Sequence, residues 1–182
     1  FLSDDERTKL LDACKASRSP NLYPLVVLAL STGMRRSELN YLTWNQLDLS
    51  KAVIILDNTK NKERRRVPVR GLALKLLQEH ARVRRIDTRL VFPGDKTYRT
   101  GQPFELQVYW REAVKAAALM DFRFHDLRHS CASSLAMDGA SLLEIAEVLG
   151  HKTLQMVKRY SHLAESHTAG VVERMNRKIF GI

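Results

Sequence analysis

Cysteine is scarce in this sequence: its 182 residues include two, Cys14 and Cys131, and neither belongs to a C-x-x-C pair. Two isolated cysteines cannot build a disulfide framework, which excludes the class of small disulfide-stapled secreted domains. Long apolar runs are also missing, because the longest nearly unbroken one, at residues 22–30, is about half the length of a bilayer span. We therefore expect a cytoplasmic protein with reduced thiols.

The amino terminus also lacks an initiator Met and a charged-then-apolar signal segment, since it begins Phe1-Leu2-Ser3-Asp4. Hydrophobic residues make up 45% of the sequence and charged residues 27%, which is typical of a folded globular protein rather than a disordered one. We interpret the chain as one domain excised from a longer protein.

Positive charge is what the sequence has in excess. Thirty Lys and Arg against 20 Asp and Glu give a formal net charge of +10 and a pI near 9.9. The excess is concentrated at residues 58–89, where 11 basic and 3 acidic side chains leave a net +8. Such a basic patch favours an anionic partner, either nucleic acid or an acidic membrane surface.

The hydrophobic pattern predicts a mainly helical α+β domain with a small antiparallel three-stranded sheet. Strands are predicted at residues 52–56, 65–69 and 90–92, and Pro68 places the second of them at a sheet edge or strand end. Capping boxes are expected at the start of the first helix, from Ser3 and Glu6, and of the helix at residues 141–149, from Ser141 and Glu144. Further helices are predicted at about residues 22–31, 35–42, 72–85, 103–118, 126–137, 141–149, 154–160 and 168–178.

The first motif whose side chains could bind or catalyse is Thr32-Gly33-Met34-Arg35-Arg36-Ser37-Glu38. Because the glycine ends a buried helix, the following arginine emerges at the rim of the core on a stiff turn. Glu38, three residues further on, is placed to steady one of the two arginines. The alternative is an exposed ion pair at the start of a helix.

The second motif is His125-Asp126-Leu127-Arg128-His129, in which His125 shares a helix face with Arg128 and His129. The spacing of the two histidines is that of helical zinc ligands, although no third ligand is obvious nearby. Arginine and histidine on one face also suit a phosphate clamp, which fits the net charge better. The remaining alternative is a helix N-terminus with a structural histidine.

The third motif is Leu149-Gly150-His151, followed nine residues later by Tyr160. A histidine just past a glycine-capped helix end is held on a fixed turn. Taken alone, the tyrosine would most often be an amphipathic core residue.

Together and in this order, the motifs resemble those of the tyrosine recombinase (phage integrase) family. The T-G-x-R-x-S-E box lies at residues 32–38, the H-x-L-R-H box at 125–129 and the L-G-H box at 149–151, with Tyr160 at the position of the nucleophile. The strand–turn–strand that carries residues 59–64 is similar to the family's catalytic-lysine hairpin. The resemblance covers residues 2–162 and implies the family's DNA breaking-rejoining fold.

The resemblance implies cleavage of one DNA strand by a tyrosine, leaving a 3′-phosphotyrosyl link and a free 5′-hydroxyl. In this reading Tyr160 is the nucleophile and His125 its base. The general acid for the departing 5′-oxygen is Lys60, with Lys62 as the alternative. The groups that stabilise charge on the phosphate are Arg35, Arg128 and His151.

Supporting roles are expected for Glu38, which would orient Arg35, and for His129 as a structural donor. Arg36 would contact DNA or Glu38. DNA contacts are also expected from basic residues of the hairpin: Lys60, Lys62, Arg64, Arg65 and Arg66. Neither a metal nor a nucleotide cofactor is expected, because two guanidinium groups supply the charge and the phosphotyrosine conserves the bond energy.

The partners that the resemblance implies are double-stranded attachment-site DNA, further copies of the chain in a homotetramer on DNA, and accessory DNA-bending proteins. We expect residues 1–182 to form the catalytic domain of an integrase whose N-terminal core-binding domain lies outside the sequence. The segment after Tyr160 could pack on its own domain or on a neighbouring protomer. The alternatives are a type IB topoisomerase, a non-catalytic DNA-binding module and a zinc hydrolase built on His125 and His129.

Overall fold

The structure is a computed structural model that describes residues 1–58, 63–94, 102–151, 153–163 and 165–181. Eight α-helices run through these residues: α1 (Asp4–Lys15), α2 (Leu22–Thr32), α3 (Arg36–Asn40), α4 (Gly71–Arg82), α5 (Leu106–Ala116), α6 (Asp126–Met137), α7 (Leu142–Leu149) and α8 (Glu165–Phe180). Three strands form the sheet: β1 (Leu47–Asp48), β2 (Val53–Asn58) and β3 (Glu63–Pro68). The described helices include none that is long and apolar enough to cross a membrane.

The helix starts and stops follow the capping signals of the sequence. Ser3 begins α1 with its hydroxyl accepting from the backbone N–H of Glu6, whose carboxylate accepts in return from the Ser3 N–H at 2.8 Å. Ser141 and Glu144 repeat the arrangement at α7. These reciprocal bonds satisfy backbone donors that a helix start would otherwise leave unpaired, so both predicted capping boxes are confirmed.

The sheet is antiparallel throughout, with the strand order β1-β2-β3. Alternate residues of β2 and β3 face the core, where Ile54 pairs with Val67 and both are buried. Pro68 is the last residue of the edge strand β3. This agrees with the prediction, because a proline has no N–H to donate to a neighbouring strand.

The predicted third strand was placed wrongly. Residues 90–92 do not join the sheet; Leu90 forms one isolated bridge with Thr43, and the N–H of Val91 donates to the carbonyl of Leu42 at 2.8 Å. The third strand is instead the two-residue β1, beside Val53 and Ile54. The apolar run at 90–92 is therefore a buried connecting segment, whose hydrophobicity reflects burial rather than strand pairing.

The carboxyl-terminal third departs from its prediction in one place. The single helix expected at residues 154–160 is a pair of 3-10 helices, Leu154–Met156 and Lys158–Leu163. The second of these packs on α6, next to α7. A separate apolar cluster forms there beside the main core around α2, and its buried members are Cys131, Ala132, Ala136, Ile145, Ala146, Leu149, Val157 and Tyr160.

Candidate active site

Glu38 lies between two arginines at the entrance to α3. Its Oε2 accepts from the backbone N–H of Arg35 at 2.7 Å, and its Oε1 accepts from Arg35 Nη1 at 3.1 Å. The same Oε2 accepts from Arg65 Nη2 on β3 at 2.9 Å. Glu38 therefore fixes both the backbone and the guanidinium of Arg35, leaving that side chain 43% exposed to an incoming anion.

Arg65 lies inside this network rather than on the surface with its neighbours. Its side chain is 18% exposed, and its Nη1 donates to the carbonyl of Val148 at 3.2 Å. Burial lowers the pKa of Arg65, and Glu38 opposes that shift. Arg65 thus connects α3 to the end of α7, and the DNA contact expected of it stays a prediction.

Arg128 joins two other parts of the chain from α6. Its Nη1 donates to the carbonyl of Gly33 at 2.5 Å and its Nη2 to the carbonyl of Leu149 at 2.7 Å, and the residue is 5% exposed. Burial, together with the charges of Arg35 and Arg65, lowers the pKa of Arg128 to about 10, so the guanidinium stays charged near neutral pH. Three motifs far apart in sequence therefore meet at this guanidinium.

His151 follows the left-handed residue Gly150, which ends α7. Its backbone N–H donates to the carbonyl of Ala146 at 2.8 Å, while its buried Nδ1 has no hydrogen-bond partner among the residues the structure describes. Burial and the charges of Arg128 and Arg35 lower the pKa of His151 to about 4. The ring is therefore neutral near pH 7 and has one N–H to offer a ligand.

Tyr160 is buried, with 6% of its surface exposed, on the 3-10 helix that packs against α6. Its hydroxyl lies 2.7 Å from Nδ1 of His129. Burial raises the pKa of Tyr160, although the charges of Arg159 and Arg128 oppose that rise. The hydroxyl is therefore neutral near pH 7 and paired with a histidine expected to be only a structural donor.

His125 is exposed at the start of α6, and its ring meets that of His129 edge to face at 5.2 Å between centroids. The described parts of the chain hold no group of three or more His, Cys, Asp or Glu side chains that could bind a metal ion. In the described chain, the two histidines of the zinc alternative thus lack the further ligands that a zinc site requires.

The remaining predicted DNA contacts divide into two groups. Arg36, Arg64 and Arg66 are exposed; Arg36 Nη1 donates to Gln107 Oε1 at 3.1 Å, and Arg64 Nε donates to an Asp57 carboxylate oxygen at 2.9 Å. The predicted general acids and DNA contacts Lys60 and Lys62 lie outside the described residues.

Gly33 permits the close approach of the first and third motifs. It adopts φ +60°, and a Cβ there would lie 2.3 Å from Cδ2 of Leu149. We expect Gly33→Ala to lower the free energy of unfolding by about 2–5 kcal/mol, the sum of left-handed strain and overpacking. This loss is measured by urea unfolding, with circular dichroism as the signal.

Gly71→Ala is the matched control, because Gly71 has φ +56° and no atom within 4 Å of the added Cβ. Only the backbone strain of about 1–2 kcal/mol should then remain. Equal losses in the two variants would contradict close packing between Gly33 and Leu149.

The sequence matches the phage integrase family over residues 1–167. It is 31% identical to the integrase of Salmonella phage P22, in an alignment of 196 residues covering all of this chain and 48% of that protein. The chain spans about half the length of the curated relatives it matches.

Solved structures give the same result for the fold. The catalytic domain of bacteriophage HP1 integrase superposes with a TM-score of 0.73 at 31% identity, covering 98% of this chain and 96% of that one. A Tn1549 transposon integrase in complex with a circular intermediate DNA superposes with a TM-score of 0.77 at 20% identity, covering 96% and 65%. The predicted mainly helical fold with its small antiparallel sheet is confirmed.

Proposed function

Because the chain belongs to the phage integrase family, we propose that it is the catalytic domain of a site-specific DNA recombinase. The reaction is cleavage and rejoining of DNA strands through a 3′-phosphotyrosyl intermediate, which integrates or excises a phage or another mobile element. The substrate is a double-stranded attachment site, on which we expect a homotetramer.

The observation that carries the proposal is the convergence of three distant motifs on Arg128. Its guanidinium bonds the carbonyls that end α2 and α7, and Arg35 and His151 each follow one of those helix ends. Cationic and N–H donors from separate elements are thereby held together before any substrate arrives. Such preorganisation is what stabilisation of a phosphoryl transition state requires.

The proposed chemistry uses this arrangement as follows. Arg35 and Arg128 neutralise charge on the non-bridging oxygens of the scissile phosphate, and His151 donates a further hydrogen bond. Tyr160 gives its hydroxyl proton to a base and attacks phosphorus; the bond from phosphorus to the 5′-oxygen breaks, and that oxygen departs with a proton from Lys60 or Lys62. No step requires a divalent cation, because guanidinium groups supply the positive charge.

The basic surface supports DNA as the partner. Arg36, Arg64 and Arg66 are exposed, and the net +8 of residues 58–89 includes the last two. Phosphate contacts of this kind position a duplex without reading its sequence, so affinity should fall with salt by about 0.9 log unit per log unit for each contact.

The proposal predicts a covalent protein–DNA adduct in buffer containing EDTA. The substrate is a pool of duplexes that tile the DNA on both sides of the gene and carry single nicks, so that a short 5′-hydroxyl strand dissociates after cleavage. The adduct is measured by denaturing gel electrophoresis of labelled DNA. We expect the same yield with EDTA as with Mg²⁺; an adduct that requires the metal would contradict the mechanism.

Rejoining distinguishes recombination from resealing of the same strand. When a second duplex with a free 5′-hydroxyl is added to the isolated adduct, we expect its strand to be joined to the bound 3′ end. Restoration of the original strand alone would favour a topoisomerase-like activity.

A further inference from the structure

One contact in the site has no role in the mechanism above: the hydrogen bond between His129 and Tyr160. The side chains are 31 residues apart in sequence and meet where α6 packs against the second 3-10 helix, with 2.7 Å between His129 Nδ1 and Tyr160 Oη. Among the residues the structure describes, His129 alone hydrogen-bonds the phenolic oxygen. With its ring proton on Nε2, His129 accepts the phenolic hydrogen at Nδ1, and the contact then gives the hydroxyl proton a place to go.

The surroundings of Tyr160 make a local proton acceptor necessary. The ring is packed among apolar residues that include Leu149 and Val157, and 6% of it is exposed. A phenol has an ordinary pKa of about 10, so about one molecule in a thousand is ionised at pH 7. Burial raises the pKa further. Spontaneous ionisation is correspondingly rarer, and attack requires a base beside the oxygen.

His129 has the properties of that base. Burial is the largest cause of its lowered pKa, so near pH 7 the ring is neutral and can accept a proton. The titratable and charged groups around it come from α6 and from the second 3-10 helix: His125, Asp126, Arg128, Arg159 and Tyr160. All of these except Asp126 and Tyr160 oppose a positive charge on the ring.

His125, the base expected from the sequence, does not hydrogen-bond the Tyr160 hydroxyl in the described part of the chain, whereas His129 does. It is exposed, and its ring meets the ring of His129 rather than the phenolic oxygen. His125 is thus exposed at the surface, while the ring of His129 contacts both the ring of His125 and the ring of Tyr160.

We propose that His129 is a catalytic residue that accepts the proton of the Tyr160 hydroxyl during strand cleavage. The inference rests on the proposed function. The proton moves from Oη to Nδ1, the Oη–P bond forms, and the bond from phosphorus to the 5′-oxygen breaks. The departing oxygen takes its proton from the hairpin lysine. In rejoining, the 5′-hydroxyl gives its proton to the hairpin lysine and its oxygen attacks phosphorus. The Oη–P bond breaks, and His129 returns its proton to the tyrosine oxygen.

His129→Asn tests proton transfer separately from positioning. The amide can form a hydrogen bond from about the place of Nδ1, but it cannot take up a proton. We expect single-turnover cleavage of the nicked duplexes to slow by about 10²–10⁴-fold. The wild-type rate should fall on the acid side with a pKa below 6.5, and this fall should be absent in His129→Asn.

His125→Asn is the matched comparison on the same helix face. It is expected to retain the acid-side fall in rate, even where the rate itself is lower. Near-wild-type cleavage by His129→Asn, or loss of the acid-side fall in His125→Asn alone, would overturn the assignment. Circular dichroism melting of each variant shows that the compared proteins are folded.

A second measurement uses the chain alone and does not depend on DNA cleavage. In the ¹⁵N spectrum of histidine-labelled protein, we expect His129 to carry its ring proton on Nε2 and to accept at Nδ1. Tyr160→Phe should shift the His129 Nδ1 signal while the His125 signals stay in place. A proton on Nδ1, or no response to Tyr160→Phe, would overturn the inference even if DNA is cleaved. A wild-type chain that shows the expected spectrum but forms no adduct would contradict the proposed function.

Discussion

Tyr160→Phe is expected to abolish the covalent adduct, with a loss of at least about 10⁴-fold in cleavage, the scale seen when an enzyme loses its nucleophile. The change removes one oxygen and leaves the buried ring in its apolar pocket. The protein loses one hydrogen bond to His129, so the free energy of unfolding should fall by about 1 kcal/mol. Denaturing electrophoresis measures the adduct, and urea unfolding measures stability.

Tyr41→Phe is the control for this variant. Tyr41 is 62% exposed and follows α3, so removing its hydroxyl should change neither the adduct nor the stability. Adduct formation by Tyr160→Phe at the wild-type rate would show that a different side chain attacks the phosphate.

Arg35→Ala and Arg128→Ala are expected to affect cleavage alike but stability differently. Each removes a guanidinium proposed to contact the phosphate, so cleavage should fall by at least about 10²–10³-fold. The Arg35 side chain is 43% exposed, and its loss should change the free energy of unfolding by about 1 kcal/mol or less. Arg128→Ala leaves two carbonyls at a buried site without their donor, which should cost about 3 kcal/mol or more.

Arg128→Lys separates charge from geometry in the same experiment. A lysine keeps the positive charge, but its single ammonium does not reproduce the planar fork that reaches both carbonyls. We expect the Arg128→Lys variant to be less stable than the wild type and to cleave DNA more slowly. Equal stability of Arg35→Ala and Arg128→Ala in urea would contradict the bridging role of Arg128. If Arg35→Ala lost DNA binding in parallel with cleavage, Arg35 would act in binding DNA and not in the chemical step.

Local signals in the sequence predicted much of this molecule. Glycines after apolar runs marked the ends of α2 and α7, and serine with glutamate three residues later marked the starts of α1 and α7. These signals work because a helix end must satisfy its own backbone groups with nearby residues. Arg35 and His151, two of the residues that converge near Arg128, each follow one of these helix ends.

The direction of a side chain was harder to predict where two signals competed. Arg65 lies in a run of three arginines, which favours a solvated basic patch, yet it is two residues before the buried Val67 and so shares its inward face. Strand alternation could therefore have identified Arg65 as an internal residue. The two-residue β1 offers no such signal, because alternation cannot be recognised over two positions.

The pairing of His129 with Tyr160 could not be read from sequence at all. Both side chains were recognisable as candidates for a functional role, but their contact depends on how α6 packs against the second 3-10 helix. The spacing within the second motif drew attention to His125 instead. A tertiary contact between elements far apart in the chain determines which histidine touches the nucleophile.

The attachment site of DNA on the protein tests the central claim most directly. The adduct formed on nicked duplexes in EDTA is digested with protease and nuclease, and the remaining peptide is sequenced by tandem mass spectrometry. The proposed mechanism predicts a nucleotide 3′-phosphate esterified to Oη of Tyr160. A nucleotide on any other side chain, or a duplex cut without a protein-linked 3′ end, would contradict it.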